Sequence, residues 1–330
     1  MLGIDTSKET LSVAFRDPVT RVLLWERTVS NTSAGIATLL SKTPDNAPWV
    51  IEPTGRYSTQ AAKLAQEAGR QVLLAPPRKA KAFLNSLQSR AKTDRLDGQG
   101  LALFGLSRSL APYPIKSLAV EQLDQLLSAR KGLSLALSSL KQRQTELPFA
   151  SEVLGSSIEA LTAQLKALDA QITAHIEASP EFASASRLDE VPGIGPVTAA
   201  AVTARLAAKK FDHPDKFVAY VGLDIGIVES GKRKGQRGLT KQGDAEIRRL
   251  LYVCAQANLR AKDSPFKQQF ERELGKGLSK TGALNAVARK LAKLCWSLHH
   301  HGTSYNADRV YSRPNRTTPE HVESTEPGGG

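Results

Sequence analysis

Four acidic residues stand where divalent-metal chemistry could use them. Asp5 follows the apolar run Leu2-Gly3-Ile4 and Glu52 follows Trp49-Val50-Ile51, so each carboxylate ends a predicted strand, and adjacent strands would set the two side by side. The segment Lys92-Thr93-Asp94-Arg95-Leu96-Asp97 opens a predicted helix and carries two more. Three residues apart, Asp94 and Asp97 share a helix face, with about 5 to 6 Å between their β-carbons. Hard carboxylate oxygens in such a set suit two Mg²⁺ ions about 3.5 to 4 Å apart, which stabilise both oxygens of an in-line phosphoryl displacement. Taken singly each acid has an ordinary role: Asp5 can cap a turn, Glu52 can be solvated, and Asp94 suits a helix N-cap. Only the joint placement argues for metal.

Cations surround these acids. Pro53-Thr54-Gly55-Arg56-Tyr57 reads as a loop in which Gly55 permits close backbone approach and Arg56 can touch phosphate, or as a plain strand-to-helix turn. Arg78, Lys79, Lys81, Arg90 and Lys92 form either a basic approach for a polyanion or a solvated basic face.

Further along, Val191-Pro192-Gly193-Ile194-Gly195-Pro196 resembles a helix-hairpin-helix turn. There Gly193 and Gly195 would expose backbone N–H groups to a phosphate at a helix N-terminus; a tight interhelical turn that binds nothing is the alternative. Ser230 is the only serine between Ser186 and Ser264, and it lies in a Gly-rich loop with Lys232, Arg233, Lys234 and Arg237. Such a serine can approach a phosphodiester whose developing charge the cations stabilise. No histidine stands near it as a base, so its surroundings alone leave it an ordinary loop serine. Lys241 precedes a helix with Arg248 and Arg249, which adds phosphate-facing charge or simply a basic face.

The elements that must hold these groups follow from periodicity. Leu11–Phe15 and Val22–Trp25 continue the first strand as a meander. A helix over Ile36–Leu40, the strand Trp49–Ile51, a helix over Gln60–Ala68, a strand at Val72–Leu74 and a helix over Asp94–Leu106 complete an α/β order that fits an RNase-H-like fold. Residues 1–110 form this metal-binding domain. Residues 111–180 read as a helical, coiled-coil-like connector of two long helices broken near Pro148. Residues 181–302 read as a mainly helical domain, and 303–330 as a polar tail with too little apolar content to order itself.

The chain has 330 residues and a formal charge of +13, from 45 Lys and Arg against 32 Asp and Glu. That balance implies a polyanionic partner, with nucleic acid first. No apolar run approaches the roughly 20 residues of a membrane span. The N-terminus lacks the pattern of a signal peptide, so the expected location is the bacterial cytoplasm, at the nucleoid. Cys254 and Cys295 are isolated, which excludes a disulfide framework or a Cys-based zinc site, and His299-His300-His301 reads as a polar helix end.

Taken together, Gly3-Ile4-Asp5-Thr6-Ser7-Lys8, Glu52-Pro53-Thr54-Gly55, Lys92 to Asp97, Pro192-Gly193-Ile194-Gly195 and Tyr220-Val221-Gly222-Leu223 followed by Ser230-Gly231-Lys232 resemble the IS110 family of insertion-sequence transposases. The likeness runs from Met1 to about Leu298. It implies a RuvC-like domain whose Asp, Glu, Asp, Asp set, here Asp5, Glu52, Asp94 and Asp97, binds Mg²⁺. It also implies that Ser230 attacks DNA to form a covalent phosphoserine intermediate. By the same resemblance the protein works as a homo-oligomer, a dimer or tetramer, in which the serine of one subunit meets the metal site of another. A non-coding bridge RNA would pair with donor and target DNA. Two other readings stand beside this one: a metal-dependent junction-resolving endonuclease that needs the carboxylates but not Ser230, and a non-catalytic nucleic-acid-binding protein.

Overall fold

A computed structural model describes residues 1–87, 94–226, 229–230, 233–234, 238–260 and 264–310. The chain divides into two compact units, the first Met1–Ser117 and the second beginning at Leu118.

The first unit is a mixed α/β sheet with helices on both faces. Its elements are β1 (Leu2–Thr6), β2 (Thr10–Arg16), β3 (Leu23–Ser30), α1 (Ser33–Lys42), β4 (Trp49–Ile51), α2 (Arg56–Glu67), β5 (Val72–Leu74), α3 (Pro77–Leu87) and α4 (Asp94–Ser107). The strand order is β3-β2-β1-β4-β5. The first three strands are antiparallel, whereas β1, β4 and β5 run parallel. Because both faces are covered, the central strands are apolar throughout rather than alternating. Leu2, Ile4, Trp49 and Ile51 point into one core with Ile36, Leu39, Ala61 and Ala65, while Val50 and Leu73 point into another with Leu101 and Phe104. Thr32 caps α1 by accepting from the Gly35 N–H at 3.3 Å. Helix α3 covers the Arg78–Lys81 cations, where periodicity alone had suggested only a basic stretch; Pro77 opens it, as proline suits a first helical turn.

The second unit begins with a helical hairpin, α5 (Leu118–Glu146) and α6 (Ser151–Ala178), turned by a 3-10 segment at Pro148–Ala150 where proline cannot continue the helix. The stripe Leu154, Ile158, Leu161, Leu165 and Leu168 lies half-buried. Then come α7 (Ala185–Asp189), α8 (Pro196–Ala208), α9 (Pro214–Val221), the two-residue strands β6 (Glu229–Ser230) and β7 (Arg233–Lys234), α10 (Ala245–Asn258), α11 (Pro265–Gly275) and α12 (Lys280–His301). Their core gathers Val202, Phe217, Leu251, Leu291 and Cys295 around α12. Beyond α12 a 3-10 turn at Ala307–Val310 buries Val310, and the Tyr305 N–H donates to Glu190 at 3.1 Å. Both cysteines are buried and unpaired. Among the described residues no helix is long and apolar enough to cross a membrane.

Candidate active site

Register decides the placement of the first two acids. Ile4 and Ile51 are paired across the parallel strands β1 and β4, so Asp5 and Glu52, the next residue in each, leave the same end of the sheet side by side. Strand alternation puts Asp5 on the face of Gly3 and Glu52 on that of Val50. This is the face that α4 covers. Gly3 allows that helix to come close: a β-carbon there would stand 2.3 Å from the Ala102 nitrogen and 2.3 Å from the Gly98 oxygen. Gly98 in turn faces β2, where a β-carbon would meet the Ser12 oxygen at 2.8 Å. Asp97, next to Gly98 in the first turn of α4, is carried on the helix that packs on β1 and β2, and Asp5, Glu52 and Asp97 are all half-buried.

The loops beside these acids are tied together. The Thr6 and Thr54 hydroxyls share a hydrogen bond between the two strand ends. The Thr54 N–H donates to Ser58 Oγ at 2.8 Å, and the buried Ser58 hydroxyl also reaches Tyr113 at 3.0 Å. Asn31, buried, donates to the Ser7 carbonyl at 2.9 Å and the Tyr57 carbonyl at 3.3 Å, joining both loops to the start of α1. Polar residues in loops were the available signal for this bracing, but apart from the Thr54–Ser58 bond the partners lie 24 to 55 positions apart in the chain.

The donor type fits a divalent ion, because carboxylates are the hard oxygen ligands it takes, and two of them leave the sheet in register. Among the described residues no three carboxylate, histidine or cysteine side chains stand grouped closely enough to hold an ion. The fourth expected ligand belongs to Asp94, whose side chain, like those of Arg56 and Lys92, lies outside the described residues.

In the second unit Ser230 ends β6 and pairs in register with Arg233 of β7, while Glu229 pairs with Lys234. Lys232 and Arg237 lie outside the described residues, as do the side chains of Ser230, Arg233 and Lys234. What anchors this hairpin is visible at its base. Ile225 and Leu239 form an antiparallel bridge, and the Gly226 N–H donates to the Gly238 carbonyl at 2.9 Å. Gly222 closes α9 at φ +75°, and a β-carbon there would meet the Gln242 nitrogen at 2.9 Å; a β-carbon on Gly243 would meet the Tyr220 oxygen at 2.2 Å. The glycines at 222 and 243 therefore let the two ends of the serine-bearing segment cross in contact. Lys241, exposed at φ +52°, occupies that crossing. Asp244 then caps α10, accepting from the Glu246 and Ile247 N–H groups, and also accepts from Arg205 Nε at 2.7 Å. Arg205 reaches Asp124 of α5 as well, and the two carboxylates hold its guanidinium more firmly charged than usual. This triad went unrecognised in the sequence because its members lie on three separate elements.

The Gly193 turn joins α7 to α8. Gly193 has φ +79°, and a β-carbon on it would stand 2.4 Å from Asn258 Nδ2 and 2.8 Å from the Cys254 oxygen, so one side of the turn is packed on α10. Asn258 secures it by donating to the Pro192 carbonyl at 2.6 Å. Gly195 is the exposed N-cap of α8, and a β-carbon there would meet nothing within 4 Å.

Comparison with known proteins follows this division. A DEDD-type family model of the IS110 group, described as "Transposase", matches residues 2–147. A second, described as "Transposase IS116/IS110/IS902 family", matches residues 185–271. The chain is 26% identical over 308 residues to the pilin gene-inverting protein of Moraxella bovis, covering 90% of this chain and 94% of that one. The protein of the same name from Moraxella lacunata is 25% identical over 307 residues, with the same coverage of each chain. This chain is also 30% identical over 155 residues to a probable family 20 transposase of Pseudomonas aeruginosa, covering 46% of this chain and 45% of that one.

Proposed function

The chain belongs to the IS110 family of insertion-sequence transposases, and from that premise we propose that it cuts and rejoins DNA strands with Ser230 as nucleophile beside a metal site of Asp5, Glu52, Asp94 and Asp97. The observation that carries this reading is the parallel register of β1 and β4, which places Asp5 and Glu52 together on the face that α4 closes through Gly3. A strand order of 3-2-1-4-5 with antiparallel β1 to β3 supports an RNase-H-like, RuvC-like domain. Relatives named for inverting a pilin gene support a reaction that rejoins what it cuts.

In this reading Ser230 Oγ attacks phosphorus, the bond from phosphorus to the leaving oxygen of the strand breaks, and that oxygen takes up a proton. Attack by the hydroxyl of the incoming strand reverses the step and frees Ser230. One phosphodiester is exchanged for another, so no nucleotide is hydrolysed. Arg233, whose backbone is opposite Ser230 in register, would balance charge on the phosphate. Asp5, Glu52, Asp94 and Asp97 would hold Mg²⁺, which when bound polarises phosphoryl oxygens. The N–H groups at the Gly195 end of α8 suit non-specific contact with a backbone phosphate, as in a helix-hairpin-helix turn. Arg56, Lys92, Gly193, Lys232, Lys234, Arg237 and Lys241 complete the proposed nucleic-acid surface. A bridge RNA selects donor and target by base pairing. The proposed working form is a homo-oligomer, a dimer or tetramer, as the family resemblance implies. The proposed location is the bacterial cytoplasm, at the nucleoid.

The test is denaturing electrophoresis of the full chain with co-purified RNA, labelled donor and target DNA and Mg²⁺, for wild type and Ser230→Ala. A labelled protein adduct that the substitution removes is the expected result. Cleavage that persists unchanged in Ser230→Ala would replace this reading with a metal-dependent endonuclease. Normal folding and full retention of cellular activity by Asp5→Ala and Asp97→Ala would leave a binding protein.

A further inference from the structure

Helix α3 carries its charge in one arc. At about 100° per residue, Lys81, Asn85, Arg78, Ala82, Ser86 and Lys79 follow one another around about 160° of the helix, and all six are exposed. On the opposite side Ala80 and Leu84 are buried and Phe83 is half-buried. The sequence of the helix holds these three cations and no acid, whereas a solvated surface ordinarily intersperses both signs. Among the described residues no carboxylate pairs with Arg78, Lys79 or Lys81.

Two contacts bring this helix to the carboxylate end of the sheet. Beyond β5 the Ala75 N–H donates to the Ile51 carbonyl at 2.9 Å, next to Glu52, so α3 starts at the end of β4 that carries that acid. Arg78 is three residues further on, at most about 11 Å of chain. Leu84 then packs on α4 at Gly100, where a β-carbon would stand 2.0 Å from Leu84 Cδ2, and the Phe83 and Phe104 rings lie 5.4 Å apart. Gly100 is three residues from Asp97, about 4.5 Å of helical rise. Helix α3 therefore flanks both Glu52 and the helix that bears Asp97. Carboxylates alone repel a polyanion, and a strand that reaches them needs cations alongside.

We propose that the outer face of α3 holds the backbone of the DNA strand that is cut, with Lys79, Arg78 and Lys81 on successive phosphates as the strand crosses the helix. The three cations lie within about 4.5 Å of rise but spread over the width of the helix, so they meet a strand that runs across α3 rather than along it. That width, about 10 to 12 Å, spans about three phosphates at 3.4 Å of rise per strand. Arg78, at the centre, offers a fork to one phosphate, and the lysines on either side act as point charges. Contacts of this kind position a strand and read no base. That this strand is the one cut rests on the reading of Asp5, Glu52, Asp94 and Asp97 as the metal site; DNA binding by the face does not.

The full chain in the Ser230→Ala background is titrated with a short fluorescein-labelled DNA duplex over a range of salt concentrations. Arg78→Gln, Lys79→Gln and Lys81→Gln together are expected to weaken binding of every DNA sequence alike and to reduce the slope of log K against log salt by about 2.7, or 0.9 for each phosphate contact. Position is read with an aryl-azide photocrosslinker attached through Ala82→Cys, in the middle of the arc, or through the exposed Ser41→Cys of α1, which packs on the other face of the sheet. Both native cysteines are buried. With labelled DNA and co-purified RNA present together, Ala82→Cys should capture DNA and Ser41→Cys should not. An unchanged slope in the folded triple variant would overturn the proposal, as would capture of RNA alone or equal capture of DNA from the two positions. Adduct formation and metal dependence are assayed in the chain that keeps Ser230, so their failure leaves the binding result standing, and an unchanged slope leaves the carboxylate reading standing.

Discussion

Replacing Gly3 with alanine tests the geometry of the carboxylate site without altering a carboxylate. The new methyl would lie 2.3 Å from two backbone atoms of α4, the Ala102 nitrogen and the Gly98 oxygen. Neither is the end of a flexible side chain, so to restore the 3.4 Å of ordinary contact α4 must lift from β1 by about 1 Å. Overpacking of this kind costs about 1 to 3 kcal/mol. For a domain of this size that lowers the midpoint of thermal unfolding by roughly 4 to 12 °C. The same lift carries Asp97 away from Asp5 and Glu52, and a 1 Å misplacement of reacting groups can cost about 100-fold in rate. Gly98→Ala is the graded companion: its closest clash is 2.8 Å, with the Ser12 oxygen, and alanine favours the helix by up to about 1 kcal/mol, so its loss should be smaller. Gly132→Ala, on α5 with nothing within 4 Å, should be neutral or slightly stabilising. The assay pairs thermal unfolding with strand cleavage across a Mg²⁺ titration. A Gly3→Ala protein with the wild-type melting profile and Mg²⁺ dependence would refute the close packing of α4 on β1 and the site built from it.

Other expectations concern the second unit. Arg205→Ala leaves Asp124 and Asp244 mostly buried without their counter-charge and should cost about 3 to 5 kcal/mol in denaturant unfolding; a wild-type midpoint would show the triad to be irrelevant. Arg205→Lys restores the charge but not the fork that reaches two carboxylates, so it should recover only part of that loss. Burial pushes the Cys254 and Cys295 thiols up, so at a pH near the ordinary thiol value of about 8.5 both should resist iodoacetamide until the chain is unfolded. Burial, then Arg187 and His300, lowers the His299 pKa, so below the ordinary value of about 6.5 the unfolded chain takes up the proton first. Stability therefore falls as pH drops through that value toward the lower folded-state one, and His299→Gln should flatten the dependence in chemical denaturation between those limits.

The apolar runs at Leu2–Ile4 and Trp49–Ile51 announced both central strands, because strands buried on both faces must be apolar throughout. Pro148 likewise announced the turn between the two long helices. Helix α3 was harder to read, since its cations dominate its composition and its apolar contacts, Ala80 and Leu84, are few. The β6–β7 hairpin is two residues per strand, too short to produce any alternation.

The candidate ligands Asp5, Glu52 and Asp97 and the candidate nucleophile Ser230 could be chosen from residue type and neighbours, since carboxylates after apolar runs and a serine among glycines and cations are local patterns. Their positions relative to one another were not local. Register between β1 and β4, the contact of α4 on Gly3, the Thr6–Thr54 hydrogen bond and the Arg205 triad all join residues far apart in the chain. The cations of α3 likewise come to the carboxylate end of the sheet only through the contacts of Ala75 with Ile51 and of Leu84 with Gly100. One-dimensional spacing carries the periodicity that makes an element and the type of each side chain. Distances between elements are set by packing, and packing is decided only once the chain has closed on itself.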